Sequence, residues 1–343
     1  MCMKINMSIV FAAMLCVCLT GCGSDSDDGN VPPKEWKSTI ENGMTVPGTD
    51  GTGSGGQMTT TTSGFSNYYA VLVGISDYQE ISDLQYAHLD ATEMRTKLSG
   101  HANWNSENIS VLVNSAATKQ NIESSINQMA EGITSDDLFL FFLSGHGGYV
   151  VDENGDNVDF DPADETDGRD EFVCTYNTLL DSYDNDILDD EFATWMSNIP
   201  TDNIVIILDT CHSGGMFKPG MSYEKATITP RLGRGDPAKA AAIEFDFSRD
   251  ALVTGMVAIS AATEDEPSWD DMFFENGVFS YYILEAFGAE GTDKNSDGYI
   301  SAEELFQYAA PKATDRAMAL YGAVLTPRIV DTHTGPMPVV RVY

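Results

Sequence analysis

Two polar clusters, each closing an apolar run, hold the residues with the most chemical reach. Ile204-Val-Ile-Ile-Leu208 is unbroken and rich in β-branched residues, and it stops at Asp209-Thr-Cys-His-Ser-Gly-Gly215. Upstream, Leu138-Phe-Leu-Phe-Phe-Leu143 stops at Ser144-Gly-His-Gly-Gly148. Cys211 offers a thiol and His146 an imidazole. A free thiol is mostly protonated near neutral pH, and a neighbouring imidazole converts it to the thiolate that attacks carbonyl carbon. Taken singly, each residue has an ordinary explanation: Cys211 as a small buried hydrophobe, His146 as a satisfied turn histidine. Placed together at the ends of two strands and followed by glycine, they read as nucleophile and general base. His212, one residue along a turn from the thiol, reads as structural.

Such residues need a scaffold that delivers both to one edge. Short β-branched runs bounded by polar turns are typical of parallel strands covered on both faces, and open α/β sheets place their sites beyond the carboxyl ends of such strands. The pattern predicts strands over 68–75, 109–113, 138–143, 204–208 and 256–259. Helical periodicity fills 87–98, 119–131, 189–198 and 277–287, and a short run at 172–175 reads as a strand or hairpin outside this order. Alternation of strand and helix predicts an α/β fold with a mainly parallel sheet. After the strand ending Gly74-Ile-Ser-Asp77, Leu84-Gln-Tyr-Ala-His-Leu-Asp90 opens a helix at the same sheet edge, from which Asp90 faces the site.

Residues 1–21 read as a bacterial lipoprotein signal: one lysine, an apolar stretch over 8–19 too short to span a bilayer comfortably, and the box Leu19-Thr-Gly-Cys22. Cys22 is then the lipidated first residue of the mature chain, held in the cell envelope by acyl chains. Residues 22–66, poor in large apolar side chains, read as a flexible tether. Its acidic start, Ser24-Asp-Ser-Asp-Asp28, resembles sequences that direct lipoproteins to the outer membrane or cell surface. Residues 67–343 suffice for one large domain. Of the six cysteines, only Cys174 and Cys211 fall in that domain, and both read as free thiols.

With 18 basic against 53 acidic residues, the formal charge is −35. Such a surface repels nucleic acid and attracts cations and basic peptides. Within it, Asp293-Lys-Asn-Ser-Asp-Gly-Tyr-Ile-Ser-Ala-Glu-Glu304 matches the EF-hand calcium loop, with oxygen donors at loop positions 1, 3, 5 and 12 and glycine at 6. The expected ligands are Asp293, Asn295, Asp297, the Tyr299 carbonyl, Ser301 through water, and Glu304. No second full loop is visible to pair with it. Calcium is the expected cofactor; no organic cofactor is called for.

The two clusters around His146 and Cys211 resemble those of the caspase-like clan of cysteine peptidases, closest to its metacaspase branch, and the resemblance runs from about Tyr68 to about Tyr343. It implies a three-layer sandwich with helices on both faces of the sheet, and a cysteine endopeptidase. It assigns the oxyanion donors to the amides of Gly147 and Cys211, and it lines the pocket for the residue before the cut bond (P1) with Asp90, Ser144 and Asp209. Two carboxylates there select Arg or Lys. A second, activating calcium site is implied at Asp170, Asp189 and Asp190, although a family ligand shortly after the cysteine is Lys218 here. The basic, irregular segment 214–251, with Arg231 and Arg234, matches a linker that related enzymes cut themselves. The expected partners are a protein or peptide with basic residues and the membrane through the lipid. The rival expectation is a calcium-binding surface protein that keeps the fold and hydrolyses little.

Overall fold

The computed structural model describes residues 64–150, 171–180, 182–212, 255–263 and 266–342, with Cys211 and His212 described by their backbone only. The signal and its Cys22, nearly all of the tether, Asp170 and the segment 214–251 lie outside the described residues. All described residues belong to one unit, Thr59–Tyr343. At its start Phe65 already packs edge-on against Tyr68, with ring centroids 5.9 Å apart, and the Ser66 amide donates to the Asp136 carbonyl at 2.9 Å.

The apolar runs form the parallel centre of a mixed sheet. Its members are β1 (Tyr68–Gly74), β2 (Ile109–Val113), β3 (Leu138–Tyr149), β6 (Ile204–His212) and β7 (Met256–Ser260), closed at one edge by antiparallel β11 (Arg328–Asp331). The order across the sheet is β11-β7-β6-β3-β1-β2. The run near 172–175 is β4 (Glu171–Val173), antiparallel to the end of β3 and paired on its other side with β5 (Ile187–Leu188). Five helices flank the sheet among the described residues: α1 (Ala87–Ser99), α2 (Lys119–Ala130), α3 (Asp189–Ser197), α4 (Val278–Ala286) and α5 (Ala302–Tyr321).

Strand alternation divides the core in two. Leu72, Leu140, Phe142, Val205 and Ile207 face α1, α4 and α5 through Met94, Phe279 and Leu305. Their neighbours Val71, Val73, Phe139, Phe141 and Ile206 face α2 and α3 through Ile122, Ile126, Phe192 and Trp195. Helices therefore cover both faces of the sheet, in the three-layer arrangement expected. Burying each of the β3 phenylalanines, all at 0% exposure, stabilises the fold by about 1.5–3 kcal/mol.

Two features differ from the expected pattern. β3 and β6 do not stop with their apolar runs; they stay paired through their polar tips, from Ser144 opposite Asp209 to Gly147 opposite His212. Two small antiparallel pairs also appear. β8 (Asp270–Asp271) pairs with β9 (Asn276–Gly277), and β10 (Tyr299–Ser301) pairs with the C-terminal β12 (Pro338–Arg341). β8 and β9 consist of Asp, Asn and Gly, residues of poor β propensity, so tertiary contacts specify that pair.

Candidate active site

Strand pairing makes His146 the register partner of Cys211 on the adjacent strand, so the two backbones lie about 4.8 Å apart. His146 is 5% exposed. Its amide donates to the Tyr78 hydroxyl at 2.8 Å, and its ring lies against the Tyr78 ring with centroids 5.0 Å apart. Nε2 sits 3.1 Å from the carbonyl oxygen of Ser82. A carbonyl only accepts, so Nε2 carries the hydrogen and Nδ1 keeps the lone pair. Nδ1 is buried and has no hydrogen-bond partner among the described residues. Burial pushes the imidazole pKa down to about 4, against the opposing pull of the Ser82 carbonyl and the Asp83 charge. His146 is therefore a neutral imidazole with one open nitrogen. Neither Tyr78 nor Ser82 carries a sequence signal for this role; the loop after β1 brings them in.

One step away, Ser144 and Asp209 are also register partners. Asp90, on the first turns of α1, receives the Ser144 hydroxyl at 2.7 Å, the Asn276 side-chain amide at 3.0 Å and the Gly277 amide at 3.1 Å. Asp209 receives the Ser268 hydroxyl, the Ser280 amide at 2.9 Å and the Ser280 hydroxyl at 2.7 Å. The two carboxylates are thus brought to either side of Gly277. They are, however, almost completely buried, with Asp90 at 0% and Asp209 at 4% exposure, rather than lining a partly open cleft. Burial raises both pKa values, and the Asp209 charge adds to the rise at Asp90. Gly277 fits between them because it lacks a side chain: a Cβ there would stand 2.5 Å from Asp209 Oδ2 and 3.2 Å from Asp90 Oδ2.

A third carboxylate, Asp270, belongs to the same group and has no motif to announce it. Its Oδ2 accepts from the Gln85 amide at 3.2 Å. Burial, and then the Asp209 charge, push its pKa up to about 6.

Elsewhere the expected sites are separate. The loop 293–304 runs through β10 into α5, which Ser301 and Glu304 start as a reciprocal capping box. Asp293 accepts from the amides of Asp297 and Gly298 at 3.2 and 3.1 Å, and Gly298 has the left-handed φ of 90° that the sixth loop position needs. Glu304 accepts from the amides of Lys294, Asn295 and Ser301, and Asn295 Nδ2 donates to Asp297 at 2.9 Å. The donor set is all oxygen, suited to calcium, and the turns are those of such a loop. Among the described residues, however, no three His, Cys, Asp or Glu groups are gathered as a metal would gather them. Asp189 is buried at the first turn of α3 with Asp190 beside it; Asp170, their expected companion, is outside the described residues. Cys174 is a buried free thiol.

A caspase-domain family model matches residues 67–312. The chain belongs to the caspase-domain family. Among relatives in this family, Metacaspase-6 of Arabidopsis thaliana is 30% identical over 236 residues, covering 66% of this chain and 59% of that protein. Metacaspase-1 of the same plant is 31% identical over 246 residues, covering 66% and 61%. The chain thus spans about three-fifths of the length of these two caspase-domain relatives.

Because the pKa of Asp270 is raised on folding, its favourable contribution is full below the ordinary carboxylate pKa, near 3.9, and is lost as pH rises through about 6. Asp270→Asn keeps the acceptor and removes the charge. The thermal midpoint of the variant relative to wild type is expected to be higher at about pH 7.5 than at about pH 4.5; differential scanning fluorimetry at the two values checks it.

Proposed function

We propose that the protein is a cysteine endopeptidase that cleaves after arginine or lysine. The observation that carries this reading is the buried, open Nδ1 of His146 on the residue directly across from Cys211. In the proposed reaction Nδ1 takes the thiol proton of Cys211, and the sulfur adds to the carbonyl carbon of the scissile bond. The resulting oxyanion is met by the amides of Gly147 and Cys211. Collapse breaks the C–N bond, and the imidazolium returns its proton to the departing amine. Water then hydrolyses the thioester, giving its proton to Nδ1 and restoring the thiol. Burial favours a neutral imidazole at the start of this cycle, as the base requires. Asp90 and Asp209 supply the negative field that favours a cationic P1 side chain, with Ser144 orienting Asp90.

Calcium enters the proposal as a ligand of the loop 293–304, through Asp293, Asn295, Asp297, the Tyr299 carbonyl, Ser301 by way of water, and Glu304. A second ion is assigned to Asp170, Asp189 and Asp190. When bound, the ion neutralises carboxylates and fixes the loop that starts α5. The proposal also includes self-cleavage in 214–251, after Arg231 or Arg234, and anchoring of the mature chain in the cell envelope, at the outer membrane or cell surface, by lipid on Cys22.

Cys211→Ala and His146→Ala are each expected to lower hydrolysis of P1-Arg peptides by about 10³-fold or more with the fold retained. A P1 library run with and without a calcium chelator, with mass spectrometry of the enzyme itself, reads specificity, calcium dependence and self-cleavage together. Wild-type rates in either variant overturn the assignment, and an inactive wild type that binds calcium favours the calcium-binding surface protein. For the anchor, Cys22→Ser is expected to move the protein from the detergent phase to the aqueous phase in Triton X-114 partition; retention in detergent refutes it.

A further inference from the structure

The acidic pocket contains more charge than two aspartates supply, and its hydrogen bonds are unevenly spent. Each carboxylate oxygen has about two acceptor positions. At Asp90, Oδ1 receives Asn276 Nδ2 and the Gly277 amide, and Oδ2 receives Ser144 and, at 3.3 Å, the same Gly277 amide. Nothing is left over at Asp90, which therefore contributes field rather than a direct bond. At Asp209, Oδ2 is filled by Ser280 while Oδ1 receives only Ser268. At Asp270, the carboxylate receives the backbone amides of Gln85, on Oδ2, and of Tyr86, which fill about two of its four acceptor positions.

Strand register says where Asp270 faces. It stands directly opposite Gly277 in the β8 and β9 pair, and directly opposed residues of an antiparallel pair project from the same face. On that face a Gly277 Cβ would touch Asp209 and Asp90. Arg316 of α5, which reaches the hairpin, is already engaged, since its Nε donates to Asp271 at 2.7 Å. No Lys or Arg among the described residues pairs with Asp90, Asp209 or Asp270.

We propose that Asp270 is a specificity-determining residue of the P1 pocket, accepting directly from the side of a guanidinium and so favouring arginine over lysine. An arginine head presents five N–H donors in a planar fork and uses acceptors on more than one side, whereas an ammonium is satisfied as a compact point charge. The acceptor positions left over, at Asp209 Oδ1 and on the Asp270 carboxylate, lie on two different elements, β6 and β8, and suit the fork. The proposal rests on the peptidase reading for its substrate but not for its pocket.

The test uses the full chain and Asp270→Asn, with peptides differing only in P1 Arg or Lys. KM for the Arg peptide is expected to rise about tenfold or more while kcat changes little and the Lys peptide is less affected, so that the Arg/Lys ratio of kcat/KM falls. An unchanged ratio overturns the proposal. Benzamidine, a small amidinium, provides a readout independent of turnover: calorimetric titration is expected to show weaker binding to the variant by a similar factor. If wild type cleaves neither peptide, the peptidase reading fails, and benzamidine still decides the pocket. Weaker binding to the variant upholds Asp270, and equal binding overturns it.

Discussion

Everything at the site depends on β3 and β6 remaining hydrogen-bonded after their apolar residues run out. The core pays for pairing as far as Leu143 and Leu208. Beyond that, backbone pairing carries Ser144, His146, Asp209 and Cys211 forward in fixed register, and side-chain bonds from Tyr78, Asp90, Ser268 and Ser280 hold the first three there. Had the strands ended with their hydrophobic runs, these residues would sit on two loops with independent freedom, and each reactive geometry would carry an ordering cost. Continued pairing also fixes which residues are neighbours. His146 must be opposite Cys211 if Ser144 is opposite Asp209, so the base and the acidic pocket are set by a single register.

A second constraint is electrostatic. Asp90, Asp209 and Asp270 bring three carboxyl groups into a poorly solvated space, where each charge raises the cost of the next. Hydrogen bonds from Ser144, Ser268, Ser280, Asn276 and the Gly277 amide offset part of that cost. They do not supply positive charge. The three carboxyl groups are consequently held by the fold with no Lys or Arg paired to them among the described residues, and such strained polar groups commonly mark functional sites.

The sheet and its helices were largely legible in the sequence because burial on both faces writes continuous β-branched runs, and amphipathic helices write a clear period. The extension of β3 and β6 was not, because Ser-Gly-His-Gly and Asp-Thr-Cys-His look like turns when each is read without its partner. Asp270 was hidden for a different reason. In a chain with 53 acidic residues, nothing local separates it from its neighbour Asp271, which forms an ion pair with Arg316; only pairing with Gly277 does. Similarly, the calcium-type loop shows no second loop in sequence, yet Ile300, its eighth position, pairs with Val340 in β12. The chain's last strand stands where a partner loop would.

That pocket is also assembled from distant parts of the chain. Asn276 is 186 residues beyond the Asp90 it caps. At a synthesis rate of about 5–20 residues per second, roughly 10–40 s separate the appearance of Asp90 from that of its donor. In the last third of that interval, once residue 212 has been made, the nascent chain holds the His146 and Cys211 strands but lacks the hairpin that completes the acidic group. The order of translation therefore keeps the three-carboxylate group behind the rest of the site until the hairpin 270–277 has been made.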